Sequence, residues 1–511
     1  MDTDQIASLR EVITENIRVQ RSSEPIDYIN VGTALGDAQA KQNHAIFARR
    51  GCGKTLLLHT SGRRLKPGIV AVYLNCEDFK RHSFPNVLIE ILTSIFAQFE
   101  RNSIAWFGRG RKTKEALTKI NERLEKLRRS ADEVNEQVTE KAAKETSDSA
   151  GAGGEIKVPN ANVAAKLENF QKNSSSVEKT FGVYKEKLQE LDLWLPELKR
   201  NLDAFFSDST KVKCIFLQID DLYHLRRTDQ AFVVDYIHRL CKDLPMFFKI
   251  ATLRHVSTLY VDRDGQPTGA QERHDYQPIN IDYTFSDFEK TRKQNWSILV
   301  EFANQASITE ELLSDQFKGD GFSRLVMAGG GVPRDVLSLF IDVLGSAADI
   351  RIGKDEVRLL SKANFERRID ELKQDSQYDE QDALLKGIYS IREFCLRRKT
   401  NVFLIAEKVL QQDEGMKALI FRLMDYRIIH SCGDALTHKS QEGSFQAFAI
   451  DIGCYAHMRK LAGRLTEIDL TQTSAKEKMR SAPILGLKEL GESLASAPDN
   501  IEAELLKDEG S

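Results

Sequence analysis

Two long stretches of the chain carry apolar residues at alternating steps of three and four. Leu117, Ile120, Leu124, Leu127, Ala131, Val134 and Val138 make the first seam, and Val177, Phe181, Tyr184, Leu188, Leu191, Leu195, Leu198, Leu202 and Phe205 the second. This is heptad spacing and predicts helices. Pro196 falls inside the second seam and is expected to start or kink a helix there. Between the seams, "SDSAGAGGEIKVPNANV" is rich in small and turn-forming residues and breaks helix. The pattern predicts an antiparallel coiled-coil arm with helices roughly 35–45 Å long at ~1.5 Å per residue. The plainer alternative packs both seams on the body of the protein as ordinary helices.

Other runs are short and continuously apolar, as buried strands are: "HAIF" (44–47), "KCIFLQID" (213–220) and "MFFKIATLR" (246–254). After residue 284, "SDFEKTRKQNWSILVEFANQA" and "ITEELLSDQF" read as helices, followed by a charged stretch at about 351–380 that reads as a linker. Next come "SIREFCLRRK", "VFLIAEKVLQ" and "EGMKALIFRLMDYRII", predicted as three helices, the third with its apolar face at Met416, Leu419, Ile420 and Leu423. "IIHSCG" and the alternating "SFQAFAIDIGCY" then predict a two-stranded hairpin.

At 511 residues and 41% hydrophobic, the chain is long enough for two to four domains with cores of their own. A net charge of -3 argues against a protein that coats nucleic acid or acidic membrane. A local exception is residues 101–130, with ten Lys or Arg against three Glu, a local +7. Beside Trp106 and Phe107 this run reads either as a contact for nucleic-acid phosphate or an acidic partner, or as a solvated helix face. No apolar run reaches the ~18 residues of a membrane span, and the first residues lack a basic region followed by an apolar one, so a cytoplasmic address is expected. The seven cysteines form no CxxC pair and read as reduced, buried thiols. From 485 to 511 the chain is acidic and is expected to be loosely ordered.

The candidate chemistry begins at "ARRGCGKT". Ala48, Arg49, Arg50, Gly51, Cys52, Gly53, Lys54 and Thr55 fit the pattern [AG]xxxxGK[ST] between a strand and a helix start. Small residues let successive backbone N–H groups turn in on phosphates; Lys54 is expected on the β- and γ-phosphates and Thr55 on Mg²⁺. An acidic partner stands 220 − 55 = 165 residues downstream, where an apolar run ends in Asp220 and Asp221. The first carboxylate is expected to hold Mg²⁺, and the long gap requires an insertion.

Walker A, the apolar run ending in Asp-Asp, a strand ending Thr252-x-Arg254 and the helix start "GGGVPRDVL" (329–337) resemble, in that order, the AAA+ and STAND ATPases. Gly331, Arg334 and Leu337 resemble the second-sensor motif of the origin-recognition branch, while T-x-R and the G-x-P of Gly331 to Pro333 resemble STAND switches. The resemblance implies an α/β P-loop NTPase core with a five-stranded parallel sheet of order 5-1-4-3-2, its strands at 43–48, 69–75, 213–220, 246–252 and 277–282. By the same resemblance Thr252 is the first sensor, and Arg254 or Arg334 reaches the γ-phosphate of ATP. Two departures stand out: Asp221 replaces the glutamate that many AAA+ enzymes carry, and "YINVGTALG" (28–36) has Thr33 where the family's adenine-side box has arginine.

The expected organisation is an N-terminal helix with the first part of the core (1–100), the insertion (101–206), the second part of the core (207–283), a helical lid (284–350), a linker (351–380), a unit resembling a winged helix (381–465) and a polar acidic tail (466–511). Lys417, Arg422 and Arg427 give the third helix of that unit a basic face for duplex DNA, although winged helices also serve as protein contacts. The expectation is an ATP- and Mg²⁺-dependent switch that couples nucleotide state to DNA or to an effector protein, as in prokaryotic defence ATPases. The rival is a DNA-binding or scaffold protein holding ATP without hydrolysing it, which Asp221 favours. Ring, dimer and monomer all stay open.

Overall fold

The computed structural model describes residues 1–17, 26–29, 32–107, 111–129, 185–263, 266–344, 351–376, 378–455, 465–470, 472, 474–495, 498 and 501–506. The helix α1 (Thr3–Asn16) is closed at its start by a capping box between Asp2 and Gln5. A short α2 (Ala34–Ala38) leads into β1 (His44–Phe47), α3 (Lys54–Arg63) and β2 (Ile69–Asn75). Three helices follow, α4 (Asn86–Phe107), α5 (Arg111–Arg129) and α6 (Lys185–Asp208), before β3 (Cys214–Asp220), α7 (Arg227–Cys241) and β4 (Met246–Thr252). A hairpin of β5 (Tyr260–Arg263) and β6 (Gln266–Gly269), which the sequence reading did not anticipate, precedes β7 (Gln277–Asn280).

The main sheet runs β2-β3-β4-β1-β7, and its pairings are parallel. Counted as the five core strands this is the expected order 5-1-4-3-2. Both β1 and β3 are buried at every position, which is why they read as continuous apolar runs: a parallel sheet is covered on both faces.

The insertion departs from a projecting arm where it is described. Leu117, Ile120, Leu124 and Leu127 of α5 and Leu191, Leu195, Leu198, Leu202 and Phe205 of α6 are buried in one apolar cluster with α4 and the sheet. The seams therefore face the core, where α4 and the sheet bury more apolar surface than a two-helix arm offers. Helix α6 continues through Pro196 without ending. Ala131, Val134, Val138, Val177, Phe181, Tyr184 and the breaker lie outside the described residues.

After β7 come α8 (Phe288–Gln305), α9 (Glu310–Ser314), α10 (Gly321–Ala328), α11 (Pro333–Leu344), α12 (Lys354–Asp375) and α13 (Tyr378–Arg397). The expected linker is thus mostly the helix α12, with Val357, Phe365, Ile369 and Leu372 in the core and Arg368 1% exposed. Its charges misled because Arg368 is a core residue satisfied by buried acids. The second expected helix, "VFLIAEKVLQ", divides into β8 (Val402–Ala406) and α14 (Glu407–Gln412). Its β-branched, wholly apolar start pairs with β10 (Ser444–Ile450), and β10 pairs in turn with β9 (Ile429–Thr437), beyond the third helix α15 (Glu414–Asp425).

Lid, C-terminal unit and α1 share one apolar cluster, running from Leu9 and Ile13 through Leu325 and Phe340 to Phe403 and Phe448. Helix α1 therefore packs with the lid and not within the ATPase core, and lid and C-terminal unit are not separate bodies. The tail also departs from expectation: Met479, Leu485, Leu490 and Leu505 are buried in the same cluster, and Leu404 and Ile484 form a β-bridge.

Candidate nucleotide site

The loop between β1 and α3 owes its shape to two glycines. Gly51 and Gly53 both have φ +87°, a left-handed backbone that other residues adopt at a cost, and such turns gather amides into an anion cradle. Lys54 is buried, and its ammonium donates to the Ala48 carbonyl at 3.0 Å and the Arg49 carbonyl at 3.3 Å. Thr55 hydrogen-bonds the Asp220 carboxylate, which also accepts from the Tyr73 hydroxyl at 2.9 Å. Burial, and then neighbouring Asp221, push Asp220 up to about 6, against the opposing pull of Thr55, Tyr73 and Lys54. Asp221 follows in the left-handed region at φ 51°, its amide donating to Asp220 Oδ1 at 3.0 Å.

A cavity of about 650 Å³ opens over this loop. Arg50 through Thr55 line its floor, Asp221, Tyr223 and His224 one wall, and Arg334 and Leu337 of the lid its roof. Tyr28 also lines it, whereas Asn30 and Val31 of the expected adenine-side box lie outside the described residues. The lid sits directly on the loop. The Arg334 amide donates to the Gly51 carbonyl at 3.3 Å, and a Cβ at Gly51 would stand 2.8 Å from Val332 Cγ1 and 2.9 Å from Arg334 Cβ.

Five nominated residues lie outside the cavity lining, and one of them is Asp220, which is fully buried behind Thr55 and Tyr73. Ala48 is a buried part of the loop's frame. Thr252 is buried beside β1 and pairs its hydroxyl with Ser257. Arg254 is bound to Glu272 at 3.0 Å and lies 4.4 Å over the Phe47 ring, so it is engaged away from the cavity; of the two arginines proposed for the γ-phosphate, only Arg334 lines it. Arg49 leaves the loop on the other side. Its guanidinium takes Asp282 in a fork of 2.7 and 2.8 Å, donates to the Gly330 carbonyl at 2.9 Å, and stands 3.3 Å from His430 Nδ1.

That arginine begins a chain of buried polar contacts that sequence reasoning missed entirely. His430 Nε2 is 3.0 Å from Asp451, which pairs with Arg368; Arg368 and Arg427 share Asp335, and Arg427 also pairs with Glu371, a residue of the cavity wall. Burial lowers His430 to about 4, so the ring is neutral. Because Nδ1 meets a guanidinium it must accept, which places the proton on Nε2, facing Asp451. Burial would raise Asp282, but Arg49 outweighs it and holds the carboxyl low.

Arg422 and Arg427 are both buried, ion-paired to Glu380 and to Asp335 and Glu371, so they present no basic face to a DNA groove; buried acids require them inside. Helix α15 instead docks on the loop after β4. Asp425 accepts the amides of His255 and Val256 at 2.9 Å each, and Phe421 stacks on His255 at 4.5 Å. The basic run of the insertion is partly neutralised: Arg123 pairs with Glu190 and Glu197 over the Trp194 ring, and Arg128 with Glu90.

The donor set fits Mg²⁺ with a nucleotide: one hydroxyl and one carboxylate are a fragment of an oxygen shell that phosphates and water complete. Thr55 and Asp220 would hold the ion, and Lys54 with the loop amides the phosphates.

No family model and no curated protein matches the chain. Among solved structures it is similar to a Walker-type ATPase of Pyrococcus abyssi (10% identity, 89% of this chain and 94% of that one, TM-score 0.38). It is also similar to the ORC1 protein of Aeropyrum pernix in complex with DNA (13%, 90% and 93%, 0.32) and to Drosophila ORC bound to DNA (11%, 85% and 94%, 0.28). Strand order, glycine loop and lid define an α/β P-loop NTPase core. Thr252 ends the strand between β3 and β1, and the Arg334 amide meets the loop from a helical lid.

Proposed function

We propose that the chain is an ATP-hydrolysing switch of the AAA+/STAND kind, in which Mg²⁺-ATP sets how tightly the lid and a winged-helix C-terminal unit close on the core. One observation carries the reading: Arg49, inside the phosphate loop, spends its side chain on the lid carbonyl of Gly330 and on His430 of the C-terminal unit. A loop that rearranges around phosphate moves the residue that ties the joined lid and C-terminal unit to the core. Helix α15, whose expected groove-facing arginines are buried, serves as the docking face, so the output favoured is a protein effector, as in a defence ATPase, over direct reading of a DNA groove.

The test is ATP turnover and limited proteolysis of the full chain with and without a non-hydrolysable ATP analogue, Lys54→Ala serving as the blank. Turnover above the blank with cleavage after 425 altered by the analogue is expected. Identical cleavage patterns would remove the switch. Analogue binding without turnover would favour the second reading, a scaffold holding ATP, which the short Asp221 side chain supports.

A further inference from the structure

The residue after Asp220 is a poor fit for activating water by itself. Asp221 is one methylene shorter than glutamate and starts from a left-handed backbone. A second carboxylate stands beside it. Strands β2 and β3 are in register with Asn75 opposite Asp220, so Glu77 and Asp221 leave two adjacent strand ends, two residues and one residue beyond that matched pair. Asn75 accepts the Glu77 amide at 2.9 Å and fixes the turn Cys76–Phe79 that presents it. Glu77 lines the same cavity as Arg50, Lys54, Asp221 and His224, and its side chain is 51% exposed.

We propose that Glu77 is the carboxylate that receives the proton of the attacking water, an assignment resting on the hydrolase reading above. Glu77 takes one proton as the water oxygen bonds to the γ-phosphorus. The bond from that phosphorus to the bridging oxygen breaks, ADP leaves with the electron pair, and the proton passes from Glu77 to solvent. Lys80 at 3.1 Å, with His224 and Arg50 nearby, holds the Glu77 carboxyl below its ordinary range, so it is ionised and ready to accept at neutral pH.

The experiment measures ATP turnover and equilibrium binding of a fluorescent ATP analogue for the full chain with Mg²⁺, in Glu77→Gln, Glu77→Asp and Asp221→Asn. Glu77→Gln is expected to lower turnover by roughly 10²–10⁴-fold, the usual worth of general-base catalysis, with analogue affinity within about threefold of the parent. That loss should exceed the loss in Asp221→Asn at least about tenfold, and Glu77→Asp should restore part of it. A Glu77→Gln loss no greater than that of Asp221→Asn, or one accounted for by weaker analogue binding, overturns the assignment and leaves the hydrolase reading standing. A parent chain that binds the analogue but turns over no ATP overturns both.

Discussion

Replacing Arg49 by methionine keeps the length of the side chain and removes its charge. Asp282 then loses a two-pronged partner in a place where the pair is 7% and 15% exposed, and Gly330 loses a donor at 2.9 Å. Removing one member of a buried pair costs about 3–5 kcal/mol, chiefly because the other charge is left without compensation. The loss falls on the contact between core, lid and C-terminal unit, so it should appear as easier local opening of β9, whose His430 meets Arg49. At 1.4 kcal/mol per decade, hydrogen-exchange protection of the β9 amides should fall by roughly 10²–10⁴-fold. Adding Asp282→Asn should return much of it, since the orphaned charge is then gone. The single variant should also recover as the pH is lowered: without Arg49, burial sets the folded Asp282 pKa above its unfolded value, and such a group contributes stability that is present at low pH and lost as pH rises through the folded pKa. Protection within threefold of the parent, or a double variant as weak as the sum of the two singles, would refute the claim that this pair ties the bodies together.

Gly51→Ala should prise the lid from the loop, because its Cβ meets Val332 and Arg334 at 2.8 and 2.9 Å, whereas Gly53→Ala meets only Tyr28 at 3.6 Å and carries the backbone strain alone. Hydrogen exchange at 329–337 should rise more in the first variant than in the second. Burial pushes Asp425 up to about 7 despite the two amides it accepts. A raised folded pKa contributes stability that is present below the unfolded value near 3.8 and lost as pH rises through about 7, so docking of α15 should weaken by about 1 kcal/mol between pH 6.5 and 8. Asp425→Asn should flatten that dependence, read as the difference between the two proteins in exchange at residues 255 and 256; parallel profiles would count against it.

The phosphate loop was legible because its chemistry is written in eight consecutive residues, and the strands because burial on both faces leaves runs such as "CIFLQID" with little polar interruption. The Arg49 circuit was not. Its members at 49, 282, 335, 368, 427, 430 and 451 are single residues with no local spacing, brought together only by packing. A charged residue reads as surface until its partners are known, which is why the helix holding Arg368 passed for a linker and Arg422 and Arg427 for a DNA face. The seams of α5 and α6 were read correctly as helical, but periodicity says that a stripe is buried and not against what.

The docking of α15 on the loop after β4 fixes a threshold for any protein that would seize that face. A competitor in solution contends with a segment tethered to its own binding site, whose effective concentration lies in the range of about millimolar for a short flexible connection and is higher when the connection is rigid. On the switch reading proposed above, partner recognition would be discounted by the docking equilibrium, and each 1.4 kcal/mol that nucleotide added to or removed from docking would change the partner's apparent affinity about tenfold. Such a switch would not need to create a binding surface; it would need only to alter how often its own Asp425 and Phe421 let go of His255.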